Sequence, residues 1–385
     1  MDFELNEEQD LFRRTLREFV EKEIVPVASE WEREGRYPEE IVQGFRRLGL
    51  FGISIPEEYG GLDLDRVSFA LVFEEIARGW MGVAGVLGSH SLASWMIAKY
   101  GTEEQRAAYL PDLATGARRT GIALTEPGAG TDLQGIQTRA ERDGDEYVIH
   151  GTKTWITNAR HADPLPVLVK TSITEPAHKG MSVLLVDADR GFTVGRDLPK
   201  LGYKGTETCE VVLDGVRVPA SSLLGGTEGR GMQQVLSALE LGRINIAARA
   251  VGVSQCAYEA ALAYARERQA FGRPIADFQA IQLKLADMAT DIQAARLLTY
   301  WAAARSEAGA VNAEAAMAKY FASEVALRAT MESMRIHGGY GYSQEFVVER
   351  LYRDAPLMAI GEGTNDVQRM VIARSLLSGA AKLGW

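Results

Sequence analysis

Apolar positions recur every three or four residues in the N-terminal and C-terminal parts of the chain, and shorten to brief runs in between. Phe12, Leu16, Phe19 and Val20 form the first stripe. Asn6 and Gln9 ahead of it have capping-box spacing, so a helix is expected from Asn6, with Pro26 able to end it. A second is predicted over 38–48, before the turn-rich stretch PEEYGGLDLD. Phe69, Val72, Phe73 and Ile76 predict a helix over 68–78. Ser91 to Tyr100 predicts another, closed by Gly101, and Thr102 opens the next. After Arg119 the texture changes. Tyr147–Ile149, Pro166–Val169, Ser182–Val186 and Cys209–Leu213 read as strands between turn signals. Gly225 to Gly231 is a linker, after which Ile281, Leu285, Met288, Ile292, Ala295 and Leu298 have the spacing of bundle packing. The fold class expected is α+β. An α-helical domain (1–119) precedes a sandwich or barrel-like β-domain (120–228) and a C-terminal four-helix bundle (229–385).

Composition narrows the chemistry. The 385 residues are 46% hydrophobic and 24% charged, as in soluble globular proteins of more than one domain. Forty-two Lys and Arg against 52 Asp and Glu give a net charge of −10, which opposes binding to nucleic-acid phosphates. Cys209 and Cys256 are too few for a disulfide framework and wrongly spaced for zinc, so no metal and a reducing cytoplasm are expected. The acidic start has no apolar signal core, and no later stretch reaches the roughly 18 uninterrupted apolar residues of a membrane span.

No Rossmann GxGxxG, P-loop, GxSxG or HExxH is present. What stands out is Glu362 between Gly361 and Gly363, ahead of a helix that Thr364 or Asn365 can cap and that carries Val367, Met370 and Val371. Alone, such a Glu would only favour the positive end of a helix. Leu124 to Asp132, LTEPGAGTD, lets backbone N–H groups approach a ligand and supplies hydroxyl donors. Trp155 and Thr157 fall on one face of a strand. RQAFGRPIADFQ (268–279) reads locally as a helix ending at Phe271 with Gly272 after it, and RIHGGYGY (335–342) as a turn between helices.

With Phe12 to Arg17, these segments resemble, along nearly the whole chain, the acyl-CoA dehydrogenase family of flavoproteins. The resemblance implies an FAD cofactor. Leu124 and Thr125 would bond the pyrimidine side of its ring, and Gly130 and Thr131 would line the cofactor and acyl-CoA sites. Ile122 stands where many relatives carry an aromatic residue and is counted with the flavin site. Trp155 would lie against the ring and Thr157 would bond its N5 edge. Arg268, Phe271 and Gln279 would reach the FAD diphosphate of a neighbouring subunit, and Gly338 and Gly339 its adenosine-diphosphate part. Arg335 is counted with them, although relatives often have Gln there. Thr364 and Asp366 join the cofactor residues, and Arg243, Gly361 and Gly363 the substrate residues. A homotetramer, a dimer of dimers, is implied.

The reaction implied is α,β-dehydrogenation of an acyl thioester, as in fatty-acid metabolism. Glu362 removes the α proton and the β hydrogen leaves as hydride to flavin N5, with electrons passing to an electron-transferring flavoprotein. Some family members place the base on a bundle helix directly before the Arg matching Arg243. That position is Gly242 here, and Glu240 lies on a different helical face. The alternatives on the same scaffold are an acyl-CoA oxidase, separated by oxygen access, and a flavin-dependent monooxygenase, which needs no such base. Gly361 removes a bulky neighbour and leaves room for a branched, cyclic or aromatic acyl group. Val83 to Trp95 contains no Arg, which disfavours the glutaryl-CoA branch, since a free carboxylate would want a cation there.

Overall fold

Asn6 caps the first helix, α1 (Glu7–Phe19). Its side chain accepts from the Gln9 N–H while Gln9 answers the Asn6 N–H, which is the expected capping box. The computed structural model describes residues 4–380. Pro26 does not end the helical run. A π-turn over Val20–Ile24 leads directly into α2 (Val25–Glu34), and Pro26 sits in the first turn of α2, where its missing N–H has no helical partner to lose. Next comes α3 (Glu39–Arg47).

The helices expected over 68–78 and 91–100 are one element, α4 (Arg66–Tyr100), capped by Asp65. It breaks only at Trp80, whose backbone is extended (φ −156°, ψ 106°). The carbonyls around the break are satisfied from afar: Arg350 donates to Gly79 O at 2.8 Å and Thr206 to Gly82 O at 2.6 Å. By length and composition α4 could cross a membrane, but 83% of its most apolar window is buried inside the protein. It is a core helix. The N-terminal unit closes with α5 (Glu103–Thr115), opened by a Thr102–Gln105 capping box.

The middle of the chain forms a six-stranded sheet of β1 (Arg139–Asp143), β2 (Glu146–Thr157), β3 (Leu165–Lys170), β4 (Met181–Val186), β5 (Thr193–Asp197) and β6 (Thr208–Pro219). The strand order is β4-β3-β1-β2-β6-β5, antiparallel except between β1 and β3. The apolar runs found β2, β3, β4 and β6. They missed β1 (RAERD) and β5 (TVGRD), whose polar residues are largely exposed. One face of β3 and β4 is buried with Tyr147, Ile149 and Val211. The other packs Leu168, Val183 and Leu185 against Met96 and Ile97 of α4.

Five helices follow: α6 (Gly231–Glu267), α7 (Gln279–Ser306), α8 (Asn312–His337), α9 (Val347–Ile360) and α10 (Asn365–Leu377). The helix expected to run to Phe271 stops at Glu267. A short hairpin, β7 (Gln269–Ala270) and β8 (Arg273–Pro274), turns at Phe271 and Gly272, both at positive φ. Helices α4 and α6 lie antiparallel in close contact: Gly242 meets Leu92, Asn245 and Arg249 meet Gly88, and Gly252 meets Glu74.

Candidate active site

The glycine-rich loop is anchored from beneath. Lys153, fully buried in β2, donates to Leu124 O at 3.1 Å and to the Glu126 carboxylate at 2.9 Å. Glu126 also accepts from the Gln137 N–H, the Thr138 N–H and the Thr138 hydroxyl. These charge-assisted bonds hold the Glu126 carboxyl below its usual range despite burial, while burial draws Lys153 down to about 8. The Thr154 N–H donates to Thr125 O at 2.9 Å, fixing the loop to β2. Gly130 faces Thr125, with only 3.9 Å between the Thr125 methyl and the place of a Cβ. Leu124 is buried and Ile122 half-buried in the same apolar cluster.

One register shift in β2, between Lys153 and Ile156, re-aims the next side chain. Trp155 takes φ 62°, and its indole is 56% exposed where a strand Trp would ordinarily be buried. Ile156 turns into the core and Thr157 emerges on the side of Trp155. Asn158 then donates to Val86 O of α4 at 2.8 Å and to Thr120 O at 3.1 Å, locking this edge to the helices. A bare indole beside a hydroxyl fits a planar, polar ring system such as a flavin: one offers a stacking plane, the other a hydrogen bond.

Glu362 stands on the turn between α9 and α10 at φ 54°, a left-handed backbone that a residue with a Cβ rarely adopts. The turn is held at several points. Lys319 donates to Ala359 O, Gly363 O and the Asn365 side chain at 3.1, 2.9 and 2.9 Å. Gln368, fully buried, donates to Glu362 O at 3.2 Å and Gly363 O at 2.9 Å. Thr364 caps α10 through the Val367 N–H at 3.4 Å. Asp366 is exposed, facing Arg369 at 3.7 Å. Glu362 as a residue is half-buried, and its Oε2 is buried with no hydrogen-bond partner among the described residues. Burial pushes the carboxyl up to about 7, against the pull of Arg249, Arg243 and Lys319.

The rival position for a base faces the same point. A Cβ on Gly242 would lie 1.6 Å from Glu362 Oε2 and 2.8 Å from Leu92, so Gly242 leaves the space the carboxylate fills. Arg243, read from sequence near the base, is buried at 6% exposure and donates to Asn312 at 3.1 Å. A side chain at Gly361 would meet only Leu357 within 4 Å, and one at Gly363 would strike Gln368.

The other candidates gather elsewhere. Arg268, Gly338 and Gly339 line a cavity of about 540 Å³ with Tyr264, His337 and Tyr340, and Arg268 stacks over the Tyr340 ring at 5.8 Å. Phe271 is 95% exposed, Gln279 is exposed, and Arg335 pairs with Glu332. This group lies at the far end of α8 from Lys319, roughly 27 Å along the helix axis at 1.5 Å per residue. Two groups of candidates therefore occupy opposite ends of one helix.

Sequence reasoning missed Glu126 and Lys153 as a pair, and Lys319, Gln368, Asn245 and Arg249. A signal existed for two. Lys319 is a lone cation on the stripe of Ala315, Ala322 and Ser323, and Arg249 sits amid Ile246, Ala247, Ala248, Ala250 and Val251. Both break an apolar pattern, which marks a buried charge with a task.

Family models match three successive parts of the chain: the N-terminal domain (residues 6–117), middle domain (121–216) and C-terminal domain (229–377) of acyl-CoA dehydrogenases. The chain is 46% identical to a probable acyl-CoA dehydrogenase of Bacillus subtilis, over 98% of this chain and 100% of that one. It is 40% identical to a subunit of the caffeyl-CoA reductase–Etf complex of Acetobacterium woodii, over 97% and 99%. The solved butyryl-CoA dehydrogenase of Megasphaera elsdenii superposes with a TM-score of 0.95 at 39% identity, covering 98% of this chain and 100% of that chain.

Proposed function

The chain belongs to the acyl-CoA dehydrogenase family of oxidoreductases, and from that premise we propose that it holds FAD and uses Glu362 to take the α proton of an acyl-CoA thioester. The observation that carries this is Glu362 Oε2: buried, without a hydrogen-bond partner among the described residues, on a residue held at a strained φ. With its proton affinity near pH 7, it can accept a proton in neutral solution and hold it in a dry site. Lys319 and Gln368 keep the turn in place, and Arg243 and Arg249 moderate the cost of its charge. The Glu362 N–H donates to the thioester oxygen, favouring the enolate that forms as the proton leaves.

The residues that would hold FAD are Leu124, Thr125, Gly130, Thr131, Trp155 and Thr157, on the anchored loop and the bulged strand. Bound FAD supplies the acceptor for the β hydrogen, which leaves as hydride. Arg268, Phe271, Gln279, Gly338 and Gly339 serve the FAD of a neighbouring copy in a homotetramer. Their distance from Glu362 along α8, and the exposed Phe271, support that division. An electron-transferring flavoprotein is the proposed acceptor of the electrons, supported by the Etf-complex relative.

The test is an anaerobic titration of the purified flavoprotein with acyl-CoA thioesters, following the visible flavin band. Bleaching supports dehydrogenation, and fast re-colouring by oxygen would favour an oxidase. A flavin-loaded protein that no thioester bleaches would sink the proposal in favour of the monooxygenase.

A further inference from the structure

One helical turn from the contact of Gly242 with Leu92, the α4–α6 seam holds buried polar atoms left without hydrogen-bond partners among the described residues. Asn245 is fully buried, and neither its side-chain oxygen nor its nitrogen has a hydrogen-bond partner among the described residues. Arg249, one turn further along α6, is 3% exposed. Its Nε also lacks a partner among the described residues, and its guanidinium lies 5.5 Å from the Phe73 ring centre. No ion pair of Arg249 occurs among the described residues. Such groups are rare in native cores, since an unpaired buried cation or amide is costly unless something arrives to meet it.

Their placement says what arrives. Both groups converge on Gly88: a Cβ there would lie 1.8 Å from Arg249 Nη2 and 2.7 Å from Asn245 Nδ2. Gly88 falls in the stretch 83–95 that carries no Arg of its own. The absent side chain lets a cation from the opposite helix take the place. Arg249 is also the first of the cations acting on Glu362, and Gly242, which faces Glu362 Oε2, lies on the same helix as Asn245 and Arg249. One to two helical turns, roughly 5–10 Å, separate them along the seam.

We propose that Arg249 and Asn245 receive a carboxylate at the far end of the acyl group, so that the substrate is the CoA thioester of a short dicarboxylic acid. This rests on the reading of Glu362 as the base of an acyl-CoA dehydrogenation. The guanidinium offers a forked pair of N–H donors to the carboxylate, and the Asn245 amide a third. The enclosed seam makes these contacts stronger than they would be in water and denies them to a plain alkyl end, which would leave the cation unpaired.

The experiment compares chains of equal carbon number on the FAD-loaded protein without oxygen: glutaryl-CoA against pentanoyl-CoA, and adipoyl-CoA against hexanoyl-CoA. The dicarboxylyl thioester of at least one pair is expected to bleach the flavin at concentrations roughly 10–100-fold lower, the worth of a charge-assisted hydrogen bond. In Arg249→Gln that ratio should collapse towards one, and Arg249→Lys should restore part of it. Melting temperature and flavin spectrum report whether each variant is folded. Equal or better bleaching by the monocarboxylyl thioesters overturns the dicarboxylate proposal and leaves the dehydrogenation reading intact. So does an Arg249→Gln variant whose pH profile moves while the ratio holds, for Arg249 would then serve Glu362 alone. If no thioester bleaches the flavin, both readings fall.

Discussion

Two buried polar regions of this molecule are built on opposite principles. Under the glycine-rich loop, Lys153 and Glu126 meet each other, and both carboxylate oxygens accept hydrogen bonds, Oε2 from Gln137 and Oε1 from Thr138 and Lys153. In the α4–α6 seam, by contrast, Glu362 Oε2, Arg249 Nε and both polar atoms of Asn245 are left open among the described residues. A satisfied network rigidifies, whereas an open one waits. The first region is a scaffold, and the second is where we propose a ligand is received.

The comparison breaks most sharply at Glu362. Glu362→Gln keeps the shape of the site and removes the base, so stopped-flow reduction by substrate should slow by about 10²–10⁴-fold while FAD stays bound. Equal rates in wild type and variant would return Glu362 to the scaffold. Lys153→Met should do the reverse. It strands the buried Glu126 carboxylate, and urea unfolding should show a loss of about 3–5 kcal/mol together with lowered FAD content. A smaller kinetic effect is expected from Gly242→Ala, whose Cβ must displace the Glu362 carboxylate. Roughly 100-fold slower flavin reduction with an unchanged melting temperature is the expected outcome.

pH separates the regions as well. Glu362 binds its proton more tightly folded, at about 7 against 4.5. Its stabilising share is therefore complete below about pH 4.5 and lost as pH rises through 7. Catalysis has the opposite sign, since only the ionised form accepts a proton. The kcat/KM for substrate should climb through about pH 7, and Glu362→Gln should raise the melting temperature more at pH 8 than at pH 5. The smallest effect belongs to Thr364→Ala. Loss of this cap should cost about 1 kcal/mol by thermal unfolding.

What could be read from the chain alone was what is local. The capping boxes at Asn6 and Thr102, the apolar cores of β2, β3, β4 and β6, and the glycines around Glu362 depend on neighbours a few residues away. The continuation of α4 past Trp80 did not show itself, because its break there is supported by Thr206 and Arg350, far along the chain. Strands β1 and β5 escaped for the lack of an apolar face, and Pro26 misled because a π-turn reset the helix before it. In the candidate site, the motif residues stand out locally in the sequence, but the groups that support them do not. Lys153 and Glu126 stand 27 residues apart, and nothing local pairs them.

Gly242 and Glu362 together constrain how such a site can change over generations. A carboxylate could be carried by either element, yet the two occupy one volume. Adding a side chain at 242 first evicts the working group, and replacing Glu362 first leaves the site with nothing to accept the proton. Each order passes through an impaired ancestor. The two positions therefore change as a pair, a side chain gained at 242 going with the loss of the one at 362.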